Sequence, residues 1–367
     1  MDLSFLNSRQ LMKTSTPDIH ITKTENSRIN ELDQENIQFG KMYGDHMLVC
    51  NYENGDWQEI EIKPFQNFSF SPATTFIHYG QAIFEGIKAY RTSSGEAVIF
   101  RAKDNWHRMN KSAARMDMPE IPEEIFLGGL KELLNLDKAW VPTTELASLY
   151  IRPFMVATEA FIGVRPSEKY MFSIITSPAG PYYSKPMSIY VQDKYVRAFK
   201  GGTGNIKAAG NYGMAMYPSH QVKNMGYNEI LWTDGYEHKY VQEIGTMNVF
   251  FIIGDTVLTP DIEHDTILAG FTRDSVLTLL REKGMKIEER QISIDEIEEA
   301  YRAGELKEAF GTGTAASITR IAKLTYKDFE MEIPDIDNWA TVNWLKKELA
   351  DIRHCRKEDT RGWIFKV

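Results

Sequence analysis

The segment Ser177-Pro178-Ala179-Gly180-Pro181-Tyr182-Tyr183-Ser184-Lys185-Pro186 sets the first limit on what this chain can form. It holds three prolines and a glycine in ten residues. Proline lacks the N–H that a helix interior or an inner strand needs, so neither is expected to run through it. The 367 residues are therefore divided into two halves, the number that a prior of roughly 150 residues per domain also gives. The expected organisation is an N-terminal arm over residues 1–35, a small domain over 36–176, an interdomain loop over 177–186 and a large domain over 187–367.

In the first half, polar and aperiodic residues predict a loosely attached arm to about residue 35. His46 to Tyr52 and Trp57 to Ile62 flank Asn54-Gly55, a pair that takes the positive φ angles of a type I′ hairpin. Asp104 is placed to cap a helix with Trp106, Met109, Ala113 and Met116 on one face. A second helix carries Phe126, Leu130, Leu133 and Leu134, and Leu149 to Val156 reads as a buried strand.

The second half opens with a strand near Met187 to Gln192 and a glycine-dense loop from Gly201 to Lys207. Hairpins are expected at Asp234-Gly235 and Gly254-Asp255. One helix groups Val276, Leu279 and Leu280 and stops at Gly284. Another begins with the capping box Ser293 to Glu296 and stops at Gly304. Val342, Leu345, Leu349 and Ile352 mark a last helix. Strands and helices mix without strict βαβ alternation, so the class is α/β or α+β.

Composition narrows the function. The formal net charge of −9 argues against nucleic acid or an anionic membrane as the main partner. The richest apolar run, Val249 to Ile253, is too short to cross a bilayer. No signal peptide is expected from Met1-Asp2-Leu3-Ser4. Cys50 and Cys355 are the two cysteines; they form neither a disulfide framework nor a CxxC zinc site and suit a cytoplasmic chain. With scattered histidines and no HExxH, P-loop or G-x-S-x-G, no metal, ATPase or serine hydrolase is expected.

Two glycine-rich stretches carry chemistry. Gly311-Thr312-Gly313-Thr314-Ala315-Ala316 matches G-x-G-x-x-A, a weak dinucleotide signal that equally describes a strand-to-turn connection. The loop ending in Lys207 lets the backbone approach a flat ligand and fixes the lysine at a defined point. A lysine held there could shed its proton and form a Schiff base with an aldehyde, although most lysines are solvated surface groups.

The stretch from Gly204 to Tyr212, with Lys207-Ala208-Ala209-Gly210-Asn211, resembles the lysine segment of class IV pyridoxal phosphate enzymes. Six further segments agree in order and spacing. They are His78 to Gly86, Phe100-Arg101 through Arg108, and Tyr150-Ile151-Arg152-Pro153; then Glu243 to Asn248, Leu268 to Arg273, and Gly313 to Ala316. Seven segments in order are specific, and from about residue 37 the chain resembles the branched-chain amino acid aminotransferases of fold type IV.

That resemblance implies a smaller N-terminal α/β domain, a larger C-terminal pseudo-barrel domain, and a homodimer with pyridoxal 5'-phosphate between the domains. It implies that Lys207 carries the cofactor and shuttles the proton at the substrate Cα, while Glu243 pairs with the pyridine nitrogen. Tyr212 would bond the ring oxygen. Arg108, the Thr314 hydroxyl and the Phe271 and Thr272 amides would hold the phosphate, with Thr246 beside the cofactor. Phe84, Tyr150, Tyr182 and Thr246 would line the substrate pocket, with Tyr79 entering from the partner. The α-carboxylate would meet the Thr314 and Ala315 amides and the Tyr150 hydroxyl, leaving Arg152 to answer glutamate. Taken singly, the aromatic residues suit core packing equally well, and Arg108 flanks the apolar stripe of its helix as a solvated residue would.

The implied reaction passes the amino group of leucine, isoleucine or valine to 2-oxoglutarate. Ala315-Ala316-Ser317-Ile318 stands where some animal members carry a redox-active CxxC, so thiol regulation is not expected. A D-amino acid aminotransferase or aminodeoxychorismate lyase on the same fold is the nearest rival; Tyr150-Ile151-Arg152 and Thr246 favour the branched-chain reading. A nicotinamide oxidoreductase built on Gly311 to Ala316 and a binding protein with an inactive site are the others.

Overall fold

The computed structural model describes residues 18–181 and 185–367. Two nine-stranded sheets organise them. The first uses β1 (Ile19–Ile21), β2 (His46–Glu53), β3 (Asp56–Pro64), β4 (Ala82–Phe84), β5 (Ile87–Arg91), β6 (Ala97–Phe100), β7 (Ser148–Ala157) and β8 (Tyr170–Ala179). Their order is β1-β3-β2-β8-β7-β5-β6, with β4 also paired to β7. Asn54 and Gly55 join β2 to β3 with φ of 56° and 81°, the two positive values a type I′ turn requires.

Helices α1 (Thr75–Tyr79), α2 (Ala102–Arg115) and α3 (Gly129–Leu136) belong to this half. Met109 and Ala113 of α2 and Leu130, Leu133 and Leu134 of α3 are fully buried, the i, i+3, i+4 stripe of a helix laid on a sheet. Asp104 does not cap α2. The N-cap is Arg101, left-handed at φ 59°, and Asp104 sits inside the first turn, accepting from Arg101 Nε at 2.5 Å.

Three expectations about the chain's organisation change. The arm is tied down where it is described: β1 pairs in parallel with β3, and Ser27 Oγ donates to Asp45 Oδ2 at 2.6 Å. Strand β8 runs through Pro178 to Ala179, past the expected end of the small domain. Its ladder with β2 stops at Ile174 while that with β7 continues to Ala179, so Pro178 lies where β2 no longer needs its N–H. The chain also ends outside the expected large domain, because its last strand returns to β6 of the first sheet.

The second half contains α4 (Ala209–Gly213), α5 (Met216–Asn224), α6 (Phe271–Glu282), α7 (Ile294–Arg302) and α8 (Ala340–Arg353). Its strands are β9 (Met187–Val191), β10 (Glu229–Thr233), β11 (Val241–Ile244), β12 (Met247–Ile253), β13 (Thr256–Thr259), β14 (Lys286–Glu289), β15 (Leu306–Gly313), β16 (Ser317–Tyr326) and β17 (Phe329–Glu332). The last strand of the chain is β18 (Ile364–Lys366). The order β11-β10-β9-β16-β15-β12 is closed by a further β11–β12 pairing. Six strands thus form the expected pseudo-barrel, which removes their edges.

Local signals hold here. Ser293 accepts from the Glu296 amide to cap α7, and Gly284 and Gly304, both with positive φ, follow α6 and α7. Val342, Leu345, Leu349 and Ile352 of α8 are buried in the barrel's core, which also takes Tyr90, Val98 and Phe100 from the first sheet. The two halves therefore share packed surface. Among the described residues, no helix is long and apolar enough to cross a membrane.

Candidate active site

Between the sheets lies a cavity of about 480 Å3. Phe84, Arg108, Tyr150 and Arg152 reach it from the first half, and Lys207, Tyr212, Glu243 and Thr246 from the second. Phe271, Thr272, Thr314 and Ala315 complete the expected set. Two expected residues are not on this wall. Tyr79 ends α1 at the surface, 40% exposed, its hydroxyl donating to the Ile162 carbonyl. Tyr182 lies outside the described residues.

The backbone of Lys207 is held by the first half. Its amide donates to Ser112 Oγ of α2 at 3.1 Å, and its carbonyl accepts from the Phe84 amide at 3.1 Å. Nζ lies 4.9 Å from the Phe84 ring centroid and donates to the Tyr212 hydroxyl at 2.9 Å. The phenol that the resemblance assigns to the cofactor's ring oxygen therefore also orients the amine.

Glu243 is 3% exposed and fully ligated. Oε2 meets Arg197 Nε at 2.8 Å; Oε1 accepts from Asn248 Nδ2 and the Leu268 amide, each at 3.1 Å. Burial pushes this carboxyl above the usual range, against the pull of Arg197 and the Leu268 N–H. A cationic nitrogen arriving from the cavity would favour its ionised form. Arg197 also donates to the Thr266 and Gly204 carbonyls, at 2.7 and 3.2 Å, tying the carboxylate to the loop that carries Lys207.

The opposite end suits an anion. Helix α6 begins at Phe271 with Gly270 as N-cap and no side-chain cap, leaving first-turn amides without intrahelical partners. A Cβ on Gly270 would collide with Asn248 Oδ1, so only glycine permits this approach. Thr312 Oγ1, buried on the cavity wall, has no partner among the described residues. Arg108 is buried rather than solvated. Its Nε and Nη2 grip Glu85, each at 2.7 Å, and Nη1 donates to the Ala269 carbonyl at 2.8 Å. The fork expected for a phosphate thus holds a carboxylate, and only the Nη1 edge is directed elsewhere.

Tyr150 and Arg152 point to one side of β7, as residues two apart on a strand do. Arg152 Nη2 donates to the Tyr150 hydroxyl at 2.9 Å, and its guanidinium lies 4.6 Å from the Phe84 ring. Its buried Nε has no partner among the described residues. A side-chain Cβ on Gly86 would collide with the Tyr150 hydroxyl, which gives the Phe84-Glu85-Gly86 glycine a steric reason.

Residues 82–324 match the family model described as amino-transferase class IV. A probable branched-chain-amino-acid aminotransferase of Staphylococcus epidermidis is 44% identical over 340 residues, 91% of this chain and 94% of that one. The branched-chain-amino-acid transaminase 1 of Bacillus subtilis is 45% identical over 91% of this chain and 95% of its own. This chain is a class IV aminotransferase. Within the class it belongs with the branched-chain-amino-acid aminotransferases. The T.th. branched-chain amino acid aminotransferase, solved with N-(5'-phosphopyridoxyl)-L-glutamate, superposes with a TM-score of 0.68 at 25% identity, covering 86% of this chain and 98% of that one.

The aminotransferase cavity fits pyridoxal 5'-phosphate on its own chemistry. It offers an amine for the aldehyde, a buried carboxyl that a cationic ring nitrogen would ionise, and a phenol. Helix amides and threonine hydroxyls stand at the anion end. Sequence reasoning assigned no role to Arg197, Asn248, Thr312 or Glu85. Asn248 and Glu85 lie inside the matching segments and face their partners through strand register and burial. Thr312 lies in the Gly311–Ala316 stretch, whose pattern gave it no role of its own, and Arg197 left no local signal.

Proposed function

We propose that this aminotransferase passes the amino group of L-leucine, L-isoleucine or L-valine to 2-oxoglutarate, using pyridoxal 5'-phosphate held in the cavity. The observation that carries the reading is the Lys207 amine and the buried Glu243 carboxyl on one cavity wall that ends at the first turn of α6. When bound, the cofactor supplies an electron sink that makes the substrate Cα–H acidic. Lys207 Nζ, oriented by Tyr212, takes that proton and returns it. Glu243 keeps the ring nitrogen protonated. Thr272, Thr314 and the α6 amides hold the phosphate, and Arg108, its fork taken by Glu85, adds positive charge from the Nη1 edge.

Substrate choice follows from Arg152. With an aliphatic side chain bound, its charge stays on the Phe84 and Tyr150 ring faces, an arrangement that tolerates apolar neighbours. With glutamate bound, its unpartnered Nε turns to the second carboxylate. The phosphopyridoxyl-glutamate complex of the T.th. relative supports glutamate as the second substrate. The α-carboxylate meets the Thr314 and Ala315 amides and the Tyr150 hydroxyl.

The working unit is a homodimer. Ile77, Tyr79, Ile162 and Val164 are exposed on one segment pair, an apolar patch of the kind that marks an interface, and Tyr79 reaches the partner's cavity from it. The unpaired thiols of Cys50 and Cys355 suit the cytoplasm. The test is turnover of L-leucine with 2-oxoglutarate together with the visible spectrum. Lys207→Ala is expected to lose both the visible band and turnover while melting like wild type. D-alanine as the preferred donor would overturn the reading.

A further inference from the structure

The Thr314-Ala315-Ala316 turn joins β15 to β16, whose register pairs Gly313 with Ser317. It is a three-residue loop closed by Ser317 at φ 58°, and such short loops hold their amides in place only if the turn itself is held. Two cations reach it from outside the barrel. Arg353 of α8 donates from Nη1 to Ser317 Oγ at 2.5 Å. Lys88 of β5, in the other sheet, donates from Nζ to the Ala315 carbonyl at 2.8 Å. Because the peptide is planar, holding that carbonyl fixes the Ala315–Ala316 peptide, the unit that directly follows the Thr314 and Ala315 amides in the turn.

We propose that Lys88 is a positioning and affinity-determining residue for the substrate α-carboxylate, reaching across the cleft to pin the turn whose amides receive it and placing a positive charge behind them. The proposal rests on the reading that this turn takes the α-carboxylate. Lys88 pairs in register with Tyr150, so one strand pair carries both the hydroxyl and the ammonium. A small cavity of about 20 Å3 beside Lys88 is shared with Gly86, Thr272 and Thr314 of the main site.

The charged groups around Lys88 are cations. Arg353 and Arg101 line the same small cavity, along with Tyr90, and Arg101 is already paired with Asp104 and Asp274. Tyr150 faces it from β7. Among the described residues, no carboxylate lines that cavity. Burial, and then Arg353, lower the Lys88 ammonium to about 7. An arriving carboxylate supplies the missing counter-charge, and the attraction is present below pH 7 and fades as pH rises through it.

The test uses the holoenzyme and two isosteric probes, 4-methylvalerate and its uncharged amide, 4-methylpentanamide. Wild type is expected to bind the acid more tightly, with that preference shrinking from pH 6 to 8.5. Lys88→Met is expected to weaken the acid about tenfold, weaken the amide much less and lose the pH dependence; the size is that of one charge-assisted hydrogen bond. It should raise KM for leucine while keeping kcat, and Lys88→Arg should restore the preference at every pH. Equal loss of acid and amide in Lys88→Met, or no loss, overturns the proposal. Ala315→Pro removes one amide of the turn: if it leaves acid binding intact, the carboxylate reading itself fails, whereas if it weakens the acid and Lys88→Met does not, only the role of Lys88 fails.

Discussion

Two buried arginine–glutamate pairs flank the cavity, and they do opposite work. In the first half, Glu85 grips Arg108 with both oxygens at 2.7 Å, and Glu85 is fully buried. In the barrel half, Arg197 touches Glu243 through one oxygen at 2.8 Å, while Asn248 and Leu268 hold the other. The first pair uses a carboxylate to hold a guanidinium, leaving its Nη1 edge to the Ala269 carbonyl just before α6. The second uses a guanidinium to aim a carboxyl, whose ionisation burial opposes. The same two residue types thus serve as scaffold on one side and as a tuned acid on the other.

The largest test of that contrast is Glu243→Gln, which keeps shape and removes charge. Turnover should fall by about 10²- to 10³-fold, the range seen when one preorganised electrostatic group is lost, with the melting temperature nearly unchanged. Steady-state kinetics and a thermal melt measure the two together. A variant that unfolds instead would make Glu243 a scaffold like Glu85. Glu85→Ala should do the reverse. It leaves Arg108 buried without its partner, at a cost of about 3–5 kcal/mol, read by denaturant unfolding, with cofactor affinity reduced as Arg108 loses its aim.

The smallest effect separates the pairs by pH. The Glu243 carboxyl is raised in the folded state, so its contribution to stability is full below the ordinary carboxyl value of 4.5 and is lost as pH rises through the higher folded value. Cofactor-free wild type should therefore lose stability over that window relative to cofactor-free Glu243→Gln. Thermal melts of both proteins from pH 4 upward check this, and parallel curves would contradict it.

How much of this was legible from the amino acids depends on how local each signal is. Asn54-Gly55 and the Ser293 cap act within a few residues, and both appear as read. Asp104 misled because a left-handed Arg101 starts α2 and claims the Asp104 carboxylate. Pro178 misled because a strand can carry proline once one neighbour has stopped pairing. Arg108 flanks its helix's apolar stripe, and the partners that make its burial tolerable, Glu85 and the Ala269 carbonyl, lie 23 and 161 residues away. The return of β18 to β6 and the tie from Arg197 to Glu243 are long-range pairings with no local imprint. The segments around Lys207 and Glu243 identified the chemistry; the ties that orient those two groups needed the fold.

The central claim is that the Lys207 amine carries the cofactor. Borohydride reduction of the holoenzyme followed by peptide mass mapping tests it most directly. The account predicts a phosphopyridoxyl mass on the peptide containing Lys207 and on no other lysine, Lys88 included. A label on another lysine, or none on protein that retains its visible band, would contradict it.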